Sequence, residues 1–164
     1  MLEPATENKT LNRLLDRFPR GVIECGLNKG DLVALVEREN IYEMIRFLRD
    51  DPELDFNMLI DLCGVDYLPR KPRFEVVYQV HSLERNERLR LKVRVPEEDC
   101  EVESLTGLYP IANWLERECW DMFGVVFRGH PNLKRLLMYD SFVGHPLRKD
   151  YPINKRQPII GPKN

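Results

Sequence analysis

Paired cysteines, glycine-rich phosphate loops and long apolar runs are all missing from this chain of 164 residues. Its four cysteines, Cys25, Cys63, Cys100 and Cys119, are scattered, with no C-x-x-C pair. Zinc and iron–sulfur sites usually draw thiolates from such pairs, so no cluster held by this chain alone is expected. The cysteines are read instead as small buried apolar residues kept reduced. No apolar run approaches the roughly 20 residues that a membrane-crossing helix needs. The start, Met1-Leu2-Glu3-Pro4, lacks the basic residues and apolar stretch of a secretory signal. The expectation is a cytosolic protein with no direct membrane span, reaching a membrane only through partners. There is no G-x-G-x-x-G, Walker loop, H-E-x-x-H or G-x-S-x-G, which removes the common nucleotide, zinc-protease and serine-hydrolase signatures. The histidines are His81, His130 and His145. The last two sit in Gly-His-Pro triplets, with no acid or cysteine at ligand spacing beside either. Hydrogen bonding in turns is expected of them, not metal binding.

What is present is an ordinary globular composition, 43% hydrophobic and 32% charged, enough for one domain with its own core. Charge is unevenly spread. Residues 1–124 carry 17 Lys+Arg against 25 Asp+Glu, and residues 125–164 carry 8 against 2. A basic tail on an acidic body either meets an acidic partner or folds back on that body.

Hydrophobic spacing predicts a helix over 10–18, a strand over 21–25, a turn at Asn28-Lys29-Gly30, and over 32–36 a second strand, with a helix start as the other reading. A second helix over 40–48 follows, then a buried strand over 58–63. Phe74, Val76, Tyr78 and Val80 alternate, as do Leu89, Leu91, Val93 and Val95. That pattern reads as a half-buried hairpin. A turn at Glu84–Glu87 would set Val80 opposite Leu91 and Tyr78 opposite Val93. Pro110 opens a last helix that Gly124 ends. The expected fold is a two-layer α+β domain: helix, two strands, helix, three strands, helix. Its sheet is mixed and mostly antiparallel, with the helices on one face. The division is a core over 1–129 and an extended, Pro-rich, basic arm over 130–164.

On the last helix Ile111, Trp114, Leu115, Cys119 and Met122 share one face, with Glu118 in its middle. A carboxylate there is costly unless paired. A proton-path acid is one reading; an acid clamped by an arginine, such as Arg135 or Arg148, or by backbone N–H groups is the preferred one. Trp120 falls on the opposite face, beside Asn113, Glu116 and Arg117, either as a partner anchor or covered by the chain's own arm. Arg88, Arg90, Lys92 and Arg94 make one strand face basic. No aromatic lies on the neighbouring strand's outward positions to stack bases, so a salt-bridged face is expected and nucleic acid is not.

The run from Asn113 to Pro152 is the most specific part of the sequence. Glu116-Arg117-Glu118, Asp121-Met122-Phe123-Gly124, Gly129-His130-Pro131, Lys134-Arg135-Leu136-Leu137 and Gly144-His145-Pro146-Leu147-Arg148-Lys149-Asp150-Tyr151-Pro152 together resemble the thirty-kilodalton subunit family of NADH–quinone oxidoreductase, respiratory complex I. Leu62-Cys63-Gly64-Val65-Asp66-Tyr67 fits the same family. The resemblance implies a structural subunit of the peripheral arm, on the cytoplasmic side of the inner membrane, with no flavin, cluster or metal of its own. It implies packing against the large quinone-site subunit, with the C-terminal segment along that neighbour. In the holoenzyme, FMN and iron–sulfur clusters in other subunits pass electrons from NADH to quinone, coupled to proton translocation. Under the resemblance Glu116, Arg117, Glu118, Asp121, Phe123, Gly124, His130, Pro131 and Arg135 are signature and structural residues. Trp120 and the run His145, Pro146, Leu147, Arg148, Lys149, Asp150 and Tyr151 are candidates for the partner interface. Related chains serve membrane-bound hydrogenases and ferredoxin-dependent complexes, which is the alternative reading; an RNA-binding domain is the remote one.

Overall fold

The computed structural model describes residues 2–5 and 8–157. Helix α1 (Lys9–Arg17) starts at Asn8, whose side-chain oxygen accepts from the Leu11 N–H, and it buries Leu11 and Leu14. Strands β1 (Val22–Asn28) and β2 (Asp31–Val36) form a hairpin whose turn residues, Lys29 and Gly30, have φ of 53° and 90°. Two positive φ values match the twist of the flanking strands, and glycine adopts one without strain. Helix α2 (Ile41–Asp50) buries Ile41, Met44, Ile45 and Leu48, the stripe its spacing predicts.

Strands β3 (Met58–Asp66), β4 (Phe74–Ser82) and β5 (Glu87–Val95) complete a five-stranded sheet of order β1-β2-β5-β4-β3, in which only β2 and β5 run parallel. Phe74, Val76, Tyr78 and Val80, with Leu89, Leu91, Val93 and Val95, are wholly buried and share one cluster with residues of all three helices. Each such side chain contributes roughly 1.5–3 kcal/mol of burial. The expected α+β architecture is therefore the observed one.

The hairpin register differs from the expectation. Ser82 pairs with Glu87, so the loop is Leu83–Asn86, and Val80 faces Leu89 while Tyr78 faces Leu91. Asn86 closes the loop at φ 48°, in the left-handed region that asparagine tolerates. The shift is by two residues, so each side chain keeps its face and alternation could not detect the error.

Two three-residue strands, β6 (Glu101–Glu103) and β7 (Val126–Arg128), pair in parallel and are too short to alternate visibly. Between them helix α3 (Ala112–Phe123) runs two residues shorter at its start than predicted and ends where expected, at Gly124 with φ 80°. It lies over β3 at Gly64, where an added Cβ would come within 2.7 Å of the Phe123 ring and 3.0 Å of Cys119 Sγ.

Residues 130–157 follow without regular structure and lie back over α3 and the β3–β4 end of the sheet. Pro158, Ile159, Ile160 and Pro162, which the arm expectation includes, fall outside the described residues.

Candidate functional site

The orientation of α3 corrects the sequence reading. Ala112, Glu116, Cys119 and Met122 are buried, while Ile111 and Trp114 are 48% and 55% exposed. Glu118 is exposed and neither Arg135 nor Arg148 reaches it; the acid that points into the core is Glu116. The single-stripe assumption failed because α3 is covered twice. The sheet takes one face and the C-terminal segment another, so polar Arg117 and Asp121 are buried as well.

Glu116 has no cation. It accepts from Ser104 Oγ and from the Leu105 N–H, both at 2.6 Å, and so fixes the loop after β6. Burial pushes its carboxyl up to about 7 against those two hydrogen bonds. Asp121, also wholly buried, is the hub of the second face. One oxygen accepts from Arg135 at 2.6 Å; the other accepts the consecutive N–H groups of Leu136, Leu137 and Met138 at 2.8–3.0 Å. Burial alone would raise its pKa, but these donors outweigh it and hold the carboxyl below its usual range.

Around that hub the chain's signature residues converge. Arg117 donates to the carbonyls of Lys134 and Arg135, with its guanidinium 5.0 Å from the Trp114 ring centre. Arg135 also donates to the carbonyls of Phe142 and Gly144. Trp120 is covered by the chain's own segment, with the Arg135 guanidinium 5.6 Å away and the His145 ring edge-on at 6.2 Å. His145 Nδ1 donates to the Asp121 carbonyl, and burial lowers its pKa. Arg148 donates to the Phe123 carbonyl at 2.6 Å. Gly124 is required here: a Cβ would meet both Arg148 and His145 at 2.6 Å. His130 Nε2 lies 3.2 Å from the Asn113 carbonyl, its Nδ1 accepts the Asn132 N–H, and Pro131 is exposed.

A second clasp holds the end of the segment. Buried Arg73, just before β4, makes paired hydrogen bonds to Asp66 and to Asp150, and a further one to Glu97 at 2.6 Å. Asp66 also accepts the N–H groups of Leu68 and Lys149. Burial opposes ionisation of Asp66, yet these donors bring it to about 2. Sequence reasoning missed Arg73, Glu97 and Ser104, and it quoted Asp66 without a role. The available signal was a charge at each end of two strands, Asp66 and Arg73, flanking the Pro69–Pro72 loop.

Of the interface candidates, Leu147 and Lys149 face outward, as does about half of Asp150. Tyr151 stacks on Phe142 at 5.9 Å, and His145, Pro146 and Arg148 are half-buried. The outward residues Leu137, Val143, Leu147 and Ile153, with Lys134, Lys149 and Arg156, make this segment's surface apolar and basic. Chemically the site is a fastening. Both oxygens of Asp66 and of Asp121 accept hydrogen bonds that tie the C-terminal segment or the adjoining loop to the body. Among the described residues no group of three His, Cys, Asp or Glu is placed to hold a metal, and no helix is long and apolar enough to cross a membrane. Cys119 is buried and Cys25 and Cys100 partly so, but Cys63 is exposed, contrary to expectation. On the basic strand face Lys92 pairs with Glu75 at 3.0 Å and Arg90 with Asp31 at 3.3 Å.

Comparison with known proteins matches residues 34–157 to a family model described as respiratory-chain NADH dehydrogenase, 30 Kd subunit. The chain is 51% identical over 154 residues to the C subunit of NADH-quinone oxidoreductase from Roseiflexus sp., covering 93% of this chain and 88% of that one. It is 45% identical over 159 residues to the protein of the same name from Citrifermentans bemidjiense, covering 96% and 98%. A solved structure, the trypsin-resistant fragment of Nqo5, superposes with a TM-score of 0.66 at 38% identity, covering 76% of this chain and 99% of the fragment.

Proposed function

This chain belongs to the 30 Kd subunit family of respiratory-chain NADH dehydrogenase, and from that premise we propose that it is a structural subunit of a proton-translocating NADH–quinone oxidoreductase. In this reading it is the thirty-kilodalton component of the peripheral arm, on the cytoplasmic side of the membrane. FMN, iron–sulfur clusters and the quinone site belong to other subunits, and the chain contributes no redox group. Its chief partner is the large subunit that helps to form the quinone site, and residues 130–164 form the docking arm.

The observation that carries the reading is the double clasp. Asp121 and Arg73 lock the inner side of the C-terminal segment to the body across sequence separations of up to 77 positions. The outer side, with Leu137, Leu147, Lys134 and Lys149, is thereby held ready at low entropic cost. Exposed apolar residues on a fixed, basic ribbon suit a partner with an acidic groove.

The test is to tag the chain, purify the native complex from membranes, and assay electron transfer from NADH to quinone. The tagged chain should co-purify in equal proportion with the quinone-site subunit. The same chain purified alone should be colourless and silent in paramagnetic resonance. A stoichiometric visible or paramagnetic signal in the isolated chain would overturn the non-redox role.

A further inference from the structure

The two edges of the five-stranded sheet are finished differently. Along β1, Glu3 exchanges two main-chain hydrogen bonds with Leu27, each 2.8 Å, so an extended N-terminal residue covers part of that edge. Along β3 the described residues provide no such cover. Among the described residues, no main-chain group outside the sheet bonds to the backbone of residues 58–65. Alternate N–H and C=O groups of such an edge point outward and can pair with another chain.

Proteins usually guard open edges with lysine, proline or strong irregularity. The nine residues of β3 contain no lysine, arginine or proline, and their guard is one irregularity between Leu59 and Asp61. Met58 and Ile60 are 43% and 41% exposed, and Cys63 is open. The local charge is negative. After burial itself, Asp61 and then Glu118 raise the pKa of the Cys63 thiol, so the two acids flank one stretch of the edge; Arg90, engaged by Asp31, opposes them. Both acids are exposed.

We propose that the β3 edge receives an extended, basic segment of a neighbouring subunit, which adds as a further strand of the sheet. The inference rests on the chain being a subunit of a larger complex. Main-chain pairing would supply affinity, Met58 and Ile60 would meet apolar side chains, and Asp61 and Glu118 would select cations. A second copy of this chain fits badly: two-fold pairing of β3 with itself would gather the same acids without adding a cation.

Cys63 is a built-in reporter. In the full chain alone it should react measurably with N-ethylmaleimide at mildly alkaline pH, although the raised pKa slows it, whereas in the purified native complex its labelling should slow by roughly tenfold or more. Backbone amides at alternate positions of 58–65 should become protected from hydrogen exchange only in the complex. A double variant, Asp61→Lys with Glu118→Lys, should melt as the native chain does and incorporate several-fold less well. Unchanged labelling and exchange within a complex that contains the chain would overturn the inference and leave the proposed function standing. Thiol protection without amide protection would mean a covered face, not an added strand, and would also overturn it. So would a dimer of the isolated chain with Cys63 shielded. Absence of the chain from the complex would sink the inference and the proposed function together.

Discussion

Glu116 and Asp121 sit five positions apart on α3, both wholly buried, and burial wins at one while donors win at the other. Glu116 has two donors and no cation; Asp121 has three backbone N–H groups and Arg135. A raised folded-state pKa means that the folded protein binds the proton more tightly. Stability contributed by the protonated acid is therefore full below about 4.5 and is lost as pH rises through about 7. Glu116→Gln keeps an acceptor for Leu105 and a partner for Ser104. Urea melts at several pH values should show the variant losing the native decline between pH 5 and 7.5, and exceeding the native chain at pH 8 by on the order of 3 kcal/mol. Asp121→Ala does the opposite: it takes the carboxylate from the partly buried Arg135 guanidinium and leaves three N–H groups without their acceptor, at a cost of about 3 kcal/mol. Glu118→Ala, on the solvent side of the same helix, should stay within about 0.5 kcal/mol in the same melts.

At the scale of elements, α3 is set by what presses on it from both sides. Gly64→Val would drive a side chain into the Phe123 ring and Cys119. The variant should lose about 1–3 kcal/mol of stability as α3 lifts from β3. The C-terminal segment can be tested in two cuts. Removing Pro152–Asn164 leaves Asp121, Arg73 and Asp66 all engaged, so the midpoint of thermal melting should hardly move. Removing residues 130–164 takes away every donor to Asp121 and the Asp150 partner of Arg73, and the midpoint should fall by several degrees. Equal midpoints for the two truncations would show that the clasps do not stabilise the body. Strands and helices with clean periodicity were legible before the structure: α2, β4 and β5 read directly from their apolar residues. What could not be read was whatever depends on a third dimension. The two-residue register shift leaves every side chain on the same face, and β6 and β7 show no period. The orientation of α3 was misread because Ile111 and Trp114 pointed the stripe outward, so a clamp by backbone N–H groups was expected at Glu118 when the acid so held is Asp121. The resemblance marked Asp121 and Arg135 as structural and His145 as an interface candidate, but not that they meet around one hub.

At the scale of the whole molecule, the uneven charge of the sequence is partly resolved inside the chain. Arg135 of the basic segment neutralises Asp121 of the acidic body, and Arg148 stands 4.0 Å from Glu97. Lys134, Lys149 and Arg156 remain outward, so assembly with an acidic neighbour should weaken with added salt. Incorporation of the tagged chain measured at rising ionic strength checks this, and indifference to salt would count against an electrostatic interface. The clasp has one more consequence, in the order of events at the ribosome. Lys149 and Asp66 are hydrogen-bonded across 83 positions, and Asp121 takes its donors from Arg135 to Met138. A chain made from its N-terminus has synthesised its whole sheet and α3 before those donors exist. For that interval Asp121 is an empty acid socket, and Asp66, already held by Arg73, still lacks the Lys149 N–H. Synthesis of residues 135–150 thus closes the fold, and a ribosome stalled before them leaves behind a body with its Asp121 socket open.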